Sequence, residues 1–330
     1  MRTKEEFNQF FQTGLTGVIK TLDKARRKVL FRLFLTHFLN LILILVFLVF
    51  FGVWMEKLDE GELESGSFAI IVIGIVFLAL IGLLIYLYYR KRKKYVVEFK
   101  TNLINPIIKF IDQGLNYVPD GYISSGAFSA SKIFHQPYNR YSGDDLVEGT
   151  IDKTKILFSE LHVANIVHRD KRTEKHPVFD GMFFIADFNK HFKGQTFVLP
   201  DKAEKLFKGL GKFFQSMNWN YGQLVKMENI EFEKEFVVYS NDQIEARYII
   251  SLSMMERMLA LKKRFNRPVY FSFINSNVNF AVALRGKQLE PTVLRSLDNR
   301  KIIDSYFGLL NDMIAIVDEL NLNTRIWTKQ

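Results

Sequence analysis

The sequence predicts an α+β protein: an N-terminal two-helix transmembrane hairpin, followed by a mainly antiparallel-sheet cytoplasmic domain with flanking helices. Three observations predict it. Two long, charge-free apolar stretches follow one another early in the chain. Bases cluster on the outer flank of each stretch, and acids lie between them. Beyond the second stretch, short strand-like runs succeed one another with few crossover helices, which favours antiparallel pairing over a doubly wound sheet.

Phe68–Tyr89 carries no charge over 22 residues. At helical rise it is about 33 Å long, against a hydrocarbon core of about 30 Å. Phe38–Met55 is also free of charge and extends back to Leu33, with Thr36, His37 and Asn40 at headgroup level. Trp54 ends the first stretch, and Tyr86, Tyr88 and Tyr89 end the second, where an interfacial aromatic belt places them. Two buried helices of a soluble core are the competing reading, but it requires uniformly apolar helices of this length twice in succession. The spans hold no ionisable residue at depth, so they read as an anchor and not as a transport path.

Orientation follows from charge. Lys24, Arg26, Arg27, Lys28 and Arg32 precede the first span, and Arg90, Lys91, Arg92, Lys93 and Lys94 follow the second. Glu56–Ser67 holds five acids and one Lys. Basic flanks stay inside, which predicts both termini in the cytoplasm and a short outside loop. The domains expected are therefore a cytoplasmic amphipathic helix over 1–32, the hairpin over 33–89 (spans 33–55 and 68–89, loop 56–67) and a cytoplasmic α+β domain over 90–330. The first of these rests on Phe7, Phe11, Leu15, Val18, Leu22, Ala25 and Val29, spaced by threes and fours. Its apolar seam suits either a partner or the C-terminal domain.

The net charge of +10 is concentrated beside the spans, which explains a pI near 9.4 without nucleic acid as a partner. There is no cysteine. Disulfides, thiolate metal sites and cysteine nucleophiles are thereby excluded.

In the C-terminal domain a helix begins at Tyr95, with Pro106 as a kink or break. Gly121–Ser131 and Tyr141–Gly149 are polar and Gly/Ser-rich. Lys155–His168 and Val178–Phe188 read as strands joined by the charged turn Arg169–His176, and Gln195–Leu199 follows through a hairpin connection at Asn189–Gly194. Leu224–Met227 and Ile230–Tyr239 read as further strands, the latter with Glu231, Glu233 and Glu235 on one face. Ile244, Tyr248, Leu252, Met255 and Leu259 trace the face of one helix over Gln243–Arg264. Ile303, Phe307, Leu310, Ile314, Val317 and Leu320 trace a second. Val269–Ile274 and Val278–Leu284 form a hairpin through Asn275–Asn277.

No motif in this domain carries chemistry on its own. Gly209-Leu-Gly211-Lys212 resembles a phosphate loop, but Leu206, Phe213 and Phe214 stand where its glycines and hydroxyl belong. His162 and His168 are about 20 Å apart along a strand, too far to share a metal ion. His176 and His191 fall in or beside turns. Glu231, Glu233 and Glu235 fit a solvated strand better than a carboxylate pair. Ser124, Ser125, Ser129 and Ser131 lack a nucleophile elbow. No catalytic, cofactor-binding or metal-binding residue is therefore expected, and no cofactor. Partner or lipid contact is expected at Lys190, Lys193, Arg90, Lys91, Arg92, Lys93 and Lys94.

Val178-Phe-Asp-Gly-Met-Phe-Phe-Ile-Ala-Asp-Phe-Asn-Lys190, Glu228–Phe236 and Val238–Tyr248 together carry a resemblance. The chain resembles the bacterial "domain of unknown function 3137" family over Tyr95–Thr324, through Phe179-Asp-Gly181, Phe188-Asn-Lys190 and Asp242 to Tyr248, with a similar two-span hairpin ahead. The resemblance implies a bacterial cytoplasmic-membrane protein and brings no activity, cofactor or catalytic residue with it. Such genes frequently lie beside those of LemA-type membrane proteins, which implies a partner in the same membrane.

The expectation is a protein-binding or scaffolding module at the inner membrane face. The alternatives are an enzyme acting on a membrane-proximal substrate and an anionic-lipid-sensing domain. Convergent ionisable groups in a deep pocket favour the enzyme, and an open sheet edge favours the adaptor.

Overall fold

The computed structural model describes residues 2–59, 67–169, 172–201, 221–284, 286–320 and 322. The chain forms two compact units, one of residues 5–104 with 290–304 and one of residues 105–289 with 1–4 and 305–330. The phosphate-loop-like segment around Gly209–Lys212 and Lys202 lies outside the described residues.

The first unit is helical. Helix α1 (Lys4–Phe10) passes through a π-helical turn at Phe11–Leu15 into α2 (Thr16–Asp59), and α3 covers Ser67–Phe99. No break separates the amphipathic segment from the apolar one within α2, because nothing between Thr16 and Asp59 removes a backbone donor. The expected seam is buried at Phe7, Leu15, Leu22 and Val29, together with Ile19. Further along, α2 and α3 lie against each other, with the Phe47 and Phe77 rings 5.5 Å apart. Outside that contact Val49, Ile75 and Leu78 are each more than half exposed. A soluble core helix buries such side chains, and these two helices are long and apolar enough to cross a membrane.

Asp23 fixes segment 290–304 within this unit. Its buried carboxylate accepts from Arg26 Nε (2.7 Å), Arg27 Nε (2.8 Å), Ser296 Oγ (3.0 Å) and the Leu297 N–H (3.1 Å). Arg26 also donates to the Val293 carbonyl, and the Arg300 guanidinium lies 3.7 Å from the Phe11 ring centroid. Burial opposes the charge on Asp23, but these donors outweigh it and hold its carboxyl well below the usual range. A π-helical turn at Lys100–Ile104 then precedes α4 (Asn105–Ile111); Pro106, lacking an N–H, accounts for the expected irregularity there.

The second unit is built on a nine-stranded antiparallel sheet in the order β1-β2-β3-β4-β9-β8-β5-β7-β6. The strands are β1 Leu115–Val118, β2 Arg140–Ile151, β3 Thr154–Arg169, β4 Arg172–Asp187, β5 Thr196–Pro200, β6 Gln223–Val225, β7 Phe236–Ser240, β8 Val269–Ile274 and β9 Asn277–Ala283. Helices α5 (Ser125–Ala130), α6 (Ile230–Glu235), α7 (Gln243–Ile249), α8 (Leu252–Phe265) and α9 (Arg300–Glu319) complete the described elements. The alternation along β4 sends Phe179, Phe183 and Ile185 into a cluster with Phe128 of α5, Ile133, Leu161 and Val163. In a neighbouring part of the sheet Phe280 packs on Phe271 and on Phe265 of α8. The apolar face expected for the last helix is buried throughout, from Ile303 to Leu320.

Five expectations are corrected. Tyr141–Gly149 is strand β2, half-exposed and interrupted by an irregularity between Asp144 and Val147, which is why its alternation is illegible. The expected turn Arg169–His176 is strand at Arg169 and over Arg172–His176, since β3 and β4 pair as far as Arg169 and Arg172; residues 170 and 171 lie outside the described residues. β4 and β5 form no hairpin: β4 pairs with β3 and β9, and β5 with β7 and β8. Ile230–Glu235 is helical, started by the Asn229 side chain accepting from the Phe232 N–H, so Glu231, Glu233 and Glu235 share no strand face. The Gln243–Arg264 helix is two helices, because Ser251 caps the second, and Ile244, Tyr248 and Leu252 are exposed while Ala246, Ile249, Met255 and Met258 are buried.

Candidate functional site

The antiparallel register of β2, β3 and β4 brings Asp144, Glu160 and His162 together with Asp180. Glu160 and His162 lie two apart on β3 and so project from one face. Asp144 of β2 pairs opposite Glu160, and Asp180 of β4 pairs opposite His162. Gly143 permits the close approach of β2: a Cβ there would lie 2.3 Å from the Glu160 carbonyl oxygen. Just after Asp144 the ladder slips, and Asp145 adopts a φ of +61° that turns it toward Tyr117, whose hydroxyl donates to its carboxylate.

Glu160 is fully buried. Its Oε2 accepts from the Gln288 N–H at 2.9 Å, whereas its Oε1 accepts no hydrogen bond and faces His162 Nε2 at 3.4 Å. Nε2 is likewise without a hydrogen-bond partner. The other ring nitrogen, Nδ1, is fixed by Asp180 Oδ1 at 2.6 Å. Lys287 donates to Asp144 Oδ2 at 3.1 Å. Burial pushes the Glu160 carboxyl up to about 8; the Gln288 N–H and Lys287 work against the rise, while Asp144 and Asp145 add to it. Burial, reinforced by Asp145, likewise raises the Tyr117 phenol well above its ordinary range.

Donor atoms of Asp144, Glu160 and His162 lie within 4.8 Å of one another, a spacing that suits a single divalent cation. A depression of about 660 Å³ on this unit is lined by Asn116, Glu148, Lys155, Asp187 and Asn277. It lies toward the other end of β3 from His162, and neither Glu160 nor His162 contributes to it.

The residues expected to meet a partner divide. Lys190 is engaged, 3.6 Å from Glu245 and 4.5 Å above the Tyr248 ring. The backbone N–H groups of Lys193 and Gly194 also donate to Glu245. In the helical unit Arg92 pairs with Glu290 at 3.3 Å and Lys94 with Glu98 at 3.8 Å, while Arg90, Lys91 and Lys93 are exposed. A groove of about 680 Å³ between α2 and α3 places Lys24, Lys28 and Arg32 beside Leu35, Leu84 and Tyr88.

Beyond Ala164 on β3 and before Asp180 on β4, the two strands pair only with each other among the described residues. β2 ends its pairing at Arg140 opposite Ala164, and β9 ends at Ala283 opposite Gly181. The strands continue as a two-stranded arm to Arg169 and Arg172. On it Arg172–Pro177 are exposed, and on the β2 side the Asn139 side chain bonds the Ile166 backbone.

Sequence reasoning placed His162 on its strand and rightly separated it from His168, which meets Thr173 instead. It missed Glu160, Asp144 and Asp180 as its neighbours. Glu160-x-His162 was the available signal; Asp144 and Asp180 arrive only through strand pairing.

Residues 177–322 match the family model described as "Protein of unknown function (DUF3137)". A comparison with curated proteins finds no match. Among solved structures, the mycobacterial trehalose monomycolate transport factor A, TtfA, aligns at 10% identity over 64% of this chain and 95% of that chain, with a TM-score of 0.32. A likeness that faint carries no argument about fold or function.

Proposed function

We propose that this chain, which belongs to the DUF3137 family, is a protein-binding module anchored by two spans in a bacterial cytoplasmic membrane, with both termini cytoplasmic. The anchor is supported by two helices whose apolar side chains are exposed along their length, and the orientation by bases on their outer flanks. The observation that carries the binding role is the β3–β4 arm. Its outer edges run past the ends of β2 and β9, and an extended segment of a partner adds to such an edge through main-chain hydrogen bonds. Arg172 and Lys175, exposed on the arm, favour an acidic segment. The enzyme reading is weaker, because Asp144, Glu160 and His162 do not line the 660 Å³ depression on this unit.

A photo-crosslinking residue placed at Thr173 or Lys175 of the full-length protein in its native membrane tests this. One discrete protein adduct is expected at both positions, and none at Asn116 on the β1 edge. Adducts of equal yield at all three positions, or none at the arm, overturn the arm's role.

Lipid sensing retains one specific support, the groove in which Lys24, Lys28 and Arg32 border apolar side chains of both helices. Headgroup-selective binding of phosphatidylserine or phosphatidylglycerol vesicles or nanodiscs, lost when these three bases become Gln, would favour it over the adaptor.

A further inference from the structure

We propose that Glu160 and His162, joined by Asp144, form a binding site for a first-row divalent transition metal, with Zn2+ as the reference ion. This goes beyond the adaptor reading and does not depend on it.

The case starts from an unsatisfied pair. Glu160 is fully buried, yet its Oε1 accepts no hydrogen bond, and His162 Nε2 beside it has none either. A buried carboxylate oxygen left this way costs about 1–3 kcal/mol or more unless something else occupies the space between. The separation identifies what fits. Two donors each about 2.1 Å from one tetrahedral ion stand about 3.4 Å apart, and Glu160 Oε1 and His162 Nε2 are 3.4 Å apart.

The surroundings match what a metal-bound imidazole requires. Nδ1 is bonded to the Asp180 carboxylate at 2.6 Å, which orients the ring, fixes the tautomer with Nε2 bare, and strengthens Nε2 as a donor. Glu160 is held in the same way through its second oxygen by the Gln288 N–H. Asp144 supplies the third ligand within the 4.8 Å span after a small side-chain shift. Lys287 then relinquishes Asp144 to the cation and turns its ammonium, on a side chain 47% exposed, toward water. One imidazole with two carboxylates favours Zn2+, Mn2+ or Co2+ over Mg2+ and Ca2+, which prefer all-oxygen sets. The His162 side chain is 27% exposed, while Nε2 itself is buried beside Glu160 Oε1.

A proton shared by Glu160 is the competing occupant, since burial favours the neutral acid. The two are distinguishable because a bound Co2+ ion absorbs visible light and a proton does not. Full-length protein in detergent is stripped with a chelator and titrated with Co2+ at pH 7.5. One equivalent with visible d–d bands, displaced by Zn2+, is expected. Glu160→Gln and His162→Ala should each weaken Co2+ by about 100-fold or more, and Asp180→Asn by about 10–100-fold, as loss of an outer-shell carboxylate does. Sheet circular dichroism checks that each variant is folded. Absence of bands in the folded wild type overturns the site. So does Co2+ binding of unchanged affinity in folded Glu160→Gln and His162→Ala, which would place the ion elsewhere.

Discussion

Replacing Glu160 by Gln should change how the metal-stripped protein responds to pH. The native carboxyl titrates at about 8, against an ordinary 4.5. Across that window the unfolded chain has released a proton that the native state keeps, so the native state loses stability as pH rises. At about 1.4 kcal/mol per pH unit, less near the two pKa values, the loss between pH 5 and pH 8.5 is about 4 kcal/mol. Gln keeps the shape and the acceptor for the Gln288 N–H but cannot ionise, so it removes this slope. For a unit of this size the difference amounts to roughly 10 °C in melting temperature. Melts of both proteins in detergent with chelator, followed in the β-sheet region of the circular dichroism spectrum, read it directly. The variant should lie close to the wild type at pH 5 and melt well above it at pH 8.5. Parallel curves across the whole range would refute the reasoning, because Glu160 would then ionise near its ordinary value despite full burial.

Three further outcomes follow from particular contacts. Asp23→Ala leaves Arg26 buried without its carboxylate and should cost about 3 kcal/mol, seen as faster hydrogen exchange in 290–304; because the native carboxyl is held low, the wild-type contribution persists at every pH above about 4 and is lost only in stronger acid. Gly181→Ala puts a Cβ 2.1 Å from the Val282 carbonyl oxygen, and neither backbone has room to yield, so the β4–β9 pairing should loosen and the protein melt lower. Phe183→Ala empties the centre of the cluster shared with Phe128 and Phe179 and should cost about 3–5 kcal/mol in chemical denaturation.

The elements legible in the sequence were those whose own burial writes a period. The apolar helices, β3, β9 and the final helix each keep one environment along a face, and their residues say so. Where a cap or a register slip decides the structure, periodicity misleads. Ile230–Tyr239 alternates apolar and acidic residues like a strand, yet Asn229 and the i, i+4 pair Phe232 and Phe236 wind its first half into a helix, with the rings 5.0 Å apart. Ile244, Tyr248 and Leu252 line up with Met255 at helical spacing, but Ser251 restarts the helix and leaves the first three outside. The charged run between β3 and β4 reads as a turn because a ribbon with water on both faces needs no alternation.

The residues that carried the family resemblance acquire physical reasons once the strands pair. Phe179 fills the sheet cluster, Asp180 fixes the His162 ring, and Gly181 lets β9 approach β4. Asn189 takes the left-handed turn at φ +54° that lets Lys190 reach Glu245 and Tyr248, and Asp242 caps the helix bearing both. One stretch of that pattern therefore serves packing, and another fastens the loop after β4 to α7. Asp180 is the exception, since its neighbour is a histidine whose far nitrogen faces an unsatisfied buried carboxylate. A sheet gains no stability from leaving that pair facing each other, and Leu at 160 would pack more cheaply. The arm begins a few residues beyond His162, so an ion held there would stiffen the root of the segment argued to meet a partner. Hydrogen exchange of residues 165–177 should then slow when Zn2+ is added to the wild type and stay unchanged in Glu160→Gln.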